Sequence, residues 1–409
     1  MSTCSAGRSS SRLARRAPAL ACGAGILVAL ALAVVATRRA PITEHSPITP
    51  AGGWQAVWIA ALSVAFVLYV VALLFLRGGG SLHAVLLLAA AIQLAPLAAP
   101  LLLSTDVYSY WDYGRIAAVH GANPYAVRPS RFPDDPAYRL MGRDWQQKRS
   151  VYGPVFTLAS EGDAAAVGRS RDAAQLLYRI AAALAVVVTA VVVASASTRR
   201  AFAAAFVGWN PLLALHFAGG GHNDALMAVL VACAFLFAAR SEGVFWALAI
   251  AVKVVAVVFL PLRILERRAR GARFGWRGLA AAAVAIAAAG TAAYGYHWLT
   301  IFTPVANQLR ATSSLGLPYW LGKARVSERV ARDALLLAFA LAYVWLLVRA
   351  WRGRARIALA AALLLLATSW LQPWYAVWAV PLAAIEEDNL ARVLTVAICG
   401  YFLRDALPL

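Results

Sequence analysis

The fold class predicted for this chain is an all-α polytopic membrane protein with about 10–12 transmembrane helices and a large extracytoplasmic first loop. Three observations predict it. Hydrophobic residues make up 62% of the 409 positions and charged ones only 14%, too little polar surface to wrap a soluble core of this size. The apolar residues fall in continuous Ala/Leu-rich runs as long as a bilayer is thick, without the period-2 alternation of a membrane β-barrel. Arginines gather in short clusters beside those runs.

The runs lie near 18–37, 54–76, 81–104, 173–196, 201–218, 224–239, 244–262, 278–299, 333–348 and 357–371, with room for two more after Gln372. Arg8, Arg12, Arg15 and Arg16 precede the first run. That run is long for a secretory h-region and lacks a clean small-x-small site, so it is expected to be a retained anchor with a cytoplasmic amino terminus. Arg77, Arg199 with Arg200, Arg240, Arg263 to Arg277 and Arg349 to Arg356 then mark cytoplasmic loops. A net charge of +20 can also signal nucleic acid, but this distribution points to the lipid bilayer as partner and to no nucleic acid. Counting spans puts the end of the third run, and Asp106 with it, outside. One conflict follows: a full crossing by 244–262 would leave the Arg263–Arg277 cluster outside. A broken or re-entrant segment between 201 and 262 repairs it, with Pro211, Pro261 and Gly219-Gly220-Gly221 as candidate breaks. Cys22, Cys233 and Cys399 lie in apolar runs and Cys4 in the tail, so no disulfide is expected.

Residues 105–168 depart from span composition and predict a folded cap on the bilayer, rich in Tyr, Trp, Pro and balanced charge. It opens with TDVYSYWDYGR. A carboxylate at the membrane boundary is costly, which makes Asp106 a functional candidate. On a helix Asp106, Tyr110 and Tyr113 share a face from which Asp112 points away, so the two aspartates form no paired site. Thr105-Asp106 also stands where an N-cap stands, and Tyr and Trp gather at headgroup level anyway, so capping and an aromatic belt stay open. After Val151-Tyr152-Gly153-Pro154, a short apolar stretch interrupted by Glu161 and Asp163 is expected to dip into the interface.

Gly219-Gly220-Gly221-His222-Asn223-Asp224 is the second polar patch, where glycines permit close backbone approach and three polar side chains can face a cavity. Asp224 or Asn223 can also cap the next helix. Lys253 lies deep in an apolar run, and an ammonium there implies an anionic partner, either Asp224 or a ligand phosphate. Trp370-Leu371-Gln372-Pro373-Trp374-Tyr375, with Trp378 and Pro381, breaks the last apolar region. Such a segment can stack sugar faces or anchor at the interface.

In order, TDVYSYWDYGR, GANPY, YGP, GWNPLLALHFAGGGHNDALM, ALAIAVKVVAVVFLPL and QPWYAVWAVPL resemble the motifs of the GT-C glycosyltransferases. The closer resemblance is to actinobacterial polyprenyl-phosphomannose-dependent mannosyltransferases, over roughly residues 81–390. GHNDALM and DVYSY are the most specific parts. The resemblance implies an inverting transfer of a hexose, most often mannose, from a polyprenyl-phosphate-sugar donor to a glycan or glycolipid acceptor at the outer face of the cell membrane. It implies Asp106 as general base; Lys253, His222, Asn223, Asp224 and Arg115 around the donor phosphate and sugar; and Tyr110, Tyr152, Trp374 and Tyr375 lining the cavity. No cofactor and no metal are implied. Residues 1–80 would be a tail and two added spans, 81–300 the catalytic core, and 301–409 a helical region completing the cavity. Glu161-Gly162-Asp163 is more polar than the family pattern, and Asp112 stands where relatives often carry a second acid. The same chemistry with arabinofuranose or glucose remains open, as does a transporter, although no inverted repeat is visible.

Overall fold

A computed structural model describes residues 6–39, 52–237, 239–301 and 310–406. Cys4 lies outside them, and Cys22, Cys233 and Cys399 are free thiols. The described residues form helices joined by turns and by one long, mostly irregular connection over 119–153, and five helices are long and apolar enough to cross a bilayer: Ala17–Arg39, Gly53–Leu76, Arg171–Ala196, Trp276–Ile301 and Glu328–Trp351. A sixth span arises if Arg200–Gly208 and Pro211–Gly219, bent by 45°, are one crossing.

The other apolar runs are broken where their prolines and polar residues stand. The run from 81 is α-helical only to Leu94, tightens to a 3-10 turn at Ala95–Ala98 around Pro96, and then extends to Ser104. At 201–218 the helix stops at Gly208. Asn210 restarts it by accepting a hydrogen bond from Leu212 N–H ahead of Pro211, and the turn Leu215–Gly219 widens to a π-helix. Pro211 removes a backbone donor and the asparagine supplies the cap, so the bend is written locally.

Two segments turn back on themselves. Helix Ala239–Val252 ends at Lys253, whose extended backbone leads into a 3-10 turn, Val254–Val258, and then helix Leu260–Ala269. Arg263 and Arg267 pair with Glu242 at 2.7 and 2.8 Å, so the second arm returns to the end where the first began. The 14-residue first arm is about 21 Å long, short of a ~30 Å hydrocarbon core. The charge count led to the expectation of a broken or re-entrant segment between 201 and 262, and the chain turns back here at Lys253, ahead of Pro261. Ile357–Ala367 and Pro373–Ile385 repeat the arrangement: the Glu386 carboxylate accepts from Ile357 and Ala358 N–H, both at 2.9 Å, bringing the arms' far ends together. The apexes of both hairpins meet at the same cavity.

The first two helices are woven into the bundle. Trp58 Nε1 donates to Ala406 O at 2.6 Å, Tyr69 OH to Phe206 O at 2.8 Å, and Arg38 Nε to Ala98 O at 2.5 Å, eight residues before Asp106. The cap sits over the cavity end. Gly114 lets helix Asp106–Ala118 press on helix Pro154–Val167, since a Cβ there would lie 2.0 Å from Ser160 O. Asn123 Nδ2 donates to Tyr294 O at 2.7 Å, and Tyr294 OH donates to Glu161 at 3.0 Å, docking the cap on helix Trp276–Tyr294. Glu161 thus has a partner within its otherwise apolar stretch.

Candidate active site

Asp106 opens its helix but does not cap it. Leu103 adopts a left-handed backbone, φ 61°, and Ser104 Oγ accepts from Asp106 N–H at 3.1 Å. A non-glycine residue in that region carries strain, which gathers where function requires a set geometry. Thr105 stands at the N-cap without a side-chain bond, and Asp106 lines a cavity of about 490 Å³.

Tyr110, one turn on, lines the same cavity, its ring held edge-on by Tyr152 and Phe156, both at 5.0 Å. Burial first, and then the charges of Asp106 and other neighbours, push the Tyr110 hydroxyl well above its ordinary range. It remains a neutral hydrogen-bonding group. Gly153 allows the cap to touch the apex of the first hairpin: a Cβ there would lie 1.7 Å from Ala251 O.

From the glycine-rich loop, Asn223 lines the cavity at 3% exposure with both side-chain polar atoms unpartnered among the described residues. Asp224 is fully buried behind it, accepting from Lys253 Nζ at 2.6 Å and from Trp378 Nε1 at 2.7 Å. The anionic partner expected for Lys253 is therefore Asp224. Lys253 Nζ also lies 4.8 Å from the centroid of the Tyr375 ring, and with 23% of its side chain exposed it lines the cavity. Trp374, Tyr375 and Trp378 also line the cavity, Tyr375 stacking on Trp378 at 4.1 Å.

Three residues expected around the donor lie off the cavity lining: Asp224, buried as the partner of Lys253, and Arg115 and His222. Arg115 is not at the cavity: it is 2% exposed, with Nε 2.8 Å from Asp135 Oδ1 and a second nitrogen bonded to Gly168 O. It lies more than two turns beyond Asp106 along the helix, and the cap folds around it. His222, expected beside the phosphate, is fully buried, with Nδ1 3.4 Å from Asp106 Oδ2 and its ring stacked on Trp374 at 3.6 Å. Asp112, which the helical spacing turns away from Asp106, is buried near Arg115 and Asp135. Burial and the Asp135 charge push its carboxyl up to about 8. Burial also opposes charge on Asp135, but Arg115, Ala137 N–H and His120 outweigh it and hold that carboxyl below its ordinary value.

Sequence reasoning missed Trp145, Gln372 as a side chain, and the apolar wall of Val254, Val257, Ile301 and Leu336. Trp145 sits among many cap aromatics and charges with no local mark, and the wall residues look like any span. Among the described residues no three His, Cys, Asp or Glu side chains gather as metal ligands.

A helical membrane protein with a capped cavity, one carboxylate at its rim and one lysine at a hairpin apex is the class that fold and site define. Residues 20–267 match the family described as α-(1→6)-mannopyranosyltransferase, N-terminal domain, and the chain belongs to that family. The match takes in Asp106, His222 to Asp224 and Lys253, and stops before Trp374. Among relatives, α-(1→6)-mannopyranosyltransferase A of Mycobacterium tuberculosis is 30% identical over 74% of this chain and 66% of its own. The protein of the same name from Corynebacterium glutamicum is 28% identical over 40% of this chain and 34% of its own. A probable α-(1→6)-mannopyranosyltransferase of Mycolicibacterium smegmatis is 31% identical over 35% of this chain and 27% of its own. The chain thus spans under two thirds of the length of these relatives. No solved structure matches it.

Proposed function

We propose that this protein is a mannosyltransferase of the cell membrane, working at the extracytoplasmic face. It moves mannose from a polyprenyl-phosphate donor to a hydroxyl of a cell-envelope glycan or glycolipid, with inversion at C1. The observation that carries this reading is one cavity with two ends. Asp106, Tyr110, Asn223, Lys253 and Gln372 supply polar groups, while Val254, Val257, Ile301 and Leu336 continue it as an apolar wall. The helices Trp276–Ile301 and Glu328–Trp351 behind that wall are only 11% buried over their most apolar windows, which suits an isoprenoid tail entering from lipid. The membrane face rests on the distribution of arginines and the family on the comparisons.

In the proposed step Asp106 takes the proton of the acceptor hydroxyl as its oxygen attacks C1. The C1–O bond to phosphate breaks, its electron pair stays on the phosphate oxygen, and polyprenyl phosphate departs. Lys253, held by Asp224, balances the charge that grows on that oxygen. A β-linked donor then yields an α-mannoside, in keeping with the relatives' printed names. Trp374 and Tyr375 offer ring faces to sugar C–H bonds, and the Asn223 carboxamide offers a donor and an acceptor to sugar hydroxyls. Tyr152 adds a cap residue to the wall.

The test incubates membranes with radiolabelled polyprenyl-phosphomannose and compares wild type with Asp106→Asn. Loss of transfer by roughly 10²–10⁴-fold is expected. Unchanged transfer in the variant sinks the base assignment. Failure of wild type to use this donor, with success on polyprenyl-phosphoarabinofuranose or polyprenyl-phosphoglucose, transfers the chemistry to another sugar.

A further inference from the structure

Full burial keeps His222 away from any departing phosphate, yet it is the group that touches the Asp106 carboxylate. Nδ1 stands 3.4 Å from Oδ2, short of a completed hydrogen bond, and neither ring nitrogen has a hydrogen-bond partner among the described residues. The other face of the contact is Trp374, parallel to the imidazole within 12° and itself a cavity wall. Gly220 makes room for this ring: a Cβ there would lie 3.1 Å from His222 Nε2 and 2.8 Å from His216 O. His216 fills the space behind, 6.0 Å from His222 and 5.9 Å from Trp374 between ring centroids.

We propose that His222 is a positioning residue for the base, and that Trp374 sets it. A sugar packed on Trp374 presses the stack, the Nδ1–H closes onto Asp106 Oδ2, and Oδ1 is left aimed at the acceptor hydroxyl. The aspartate then points productively only when the cavity face of Trp374 is occupied. This rests on Asp106 being the base. It also gives the second hairpin, beyond the family-matched residues, a part in the chemistry through a buried side chain with two unmet hydrogen-bonding atoms.

The test measures kcat and both KM values for His222→Gln, Trp374→Ala, Trp374→Phe and the double variant His222→Gln/Trp374→Ala, each first shown to melt cooperatively in detergent. Expected for His222→Gln is a kcat lower by about 10–100-fold with both KM values little changed, as for other residues that orient a reacting group. Trp374→Ala should fall in the same range and Trp374→Phe recover much of it. The double variant should lose little more than either single one, because both act through one contact. A raised donor KM with unchanged kcat in His222→Gln would return the histidine to the phosphate and overturn the proposal, as would additive losses. Should Asp106→Asn itself keep full transfer, the base reading fails. Should Asp106→Asn be dead while His222→Gln keeps its kcat, only the positioning role fails.

Discussion

Replacing Lys253 by methionine separates what this lysine does for the fold from what it does for the reaction. Its Nζ lies 2.6 Å from an Asp224 carboxylate that has no exposed surface, while a quarter or so of the lysine side chain reaches the cavity. At an effective dielectric of about 20, such a pair attracts by roughly 6 kcal/mol, much of it offset by the desolvation of both charges. Removing one partner is the costly case. Among the described residues Asp224 would keep only the Trp378 indole as donor, and a buried charge left in that state costs about 3–5 kcal/mol. Lys253→Met should therefore lower the melting temperature in detergent by several degrees, and Lys253→Met/Asp224→Asn should restore most of it. Transfer should behave differently. With no cation near the leaving phosphate, both variants should lose roughly 10²–10³-fold in kcat, a typical loss for one charge-stabilising donor. Wild-type melting in Lys253→Met, or transfer regained by the double variant together with its stability, would refute the reasoning.

Two further outcomes test the cap and the topology. Because the Asp112 carboxyl is raised from 3.8 to about 8, the folded cap binds a proton that the unfolded chain has lost, so stability falls as pH rises from about 4 to about 8 and then levels off. The slope is ~1.4 kcal/mol per pH unit, and Asp112→Asn should flatten it in amide exchange of the cap measured between pH 6 and 8, whereas an equal slope in the variant argues against a proton held there. A cysteine placed at Ala122, in the cap turn after Gly121, should react in intact cells with an impermeant thiol reagent when the native cysteines are replaced. Labelling only after permeabilisation would invert the membrane orientation.

Much of this was legible in the chain itself because membrane burial and charge placement are local signals. Continuous apolar runs announce helices, arginine clusters announce sides, and polar residues stranded in such surroundings single out Asp106, Asn223, Asp224 and Lys253 without any contact being known. The arginine count pointed to a broken or re-entrant segment between 201 and 262. Pro211, Pro261 and the Gln372-Pro373 segment were legible as breaks, whereas the run containing Pro96 read as a full span by hydropathy and is broken. Hydropathy averages over a window and does not weigh one missing backbone donor.

By itself, then, the sequence determined the helical membrane class and the residues whose charge or polarity is expensive there. Only the tertiary structure decided their partners. It removed Arg115 to an ion pair inside the cap, joined Lys253 to Asp224 across 29 positions, and set His222 between Asp106 and a tryptophan 152 residues away. The physical reason is that the cost of an unpaired buried charge depends only on the residue and its depth, whereas the partner that relieves it depends on how two hairpin apexes and a cap pack together.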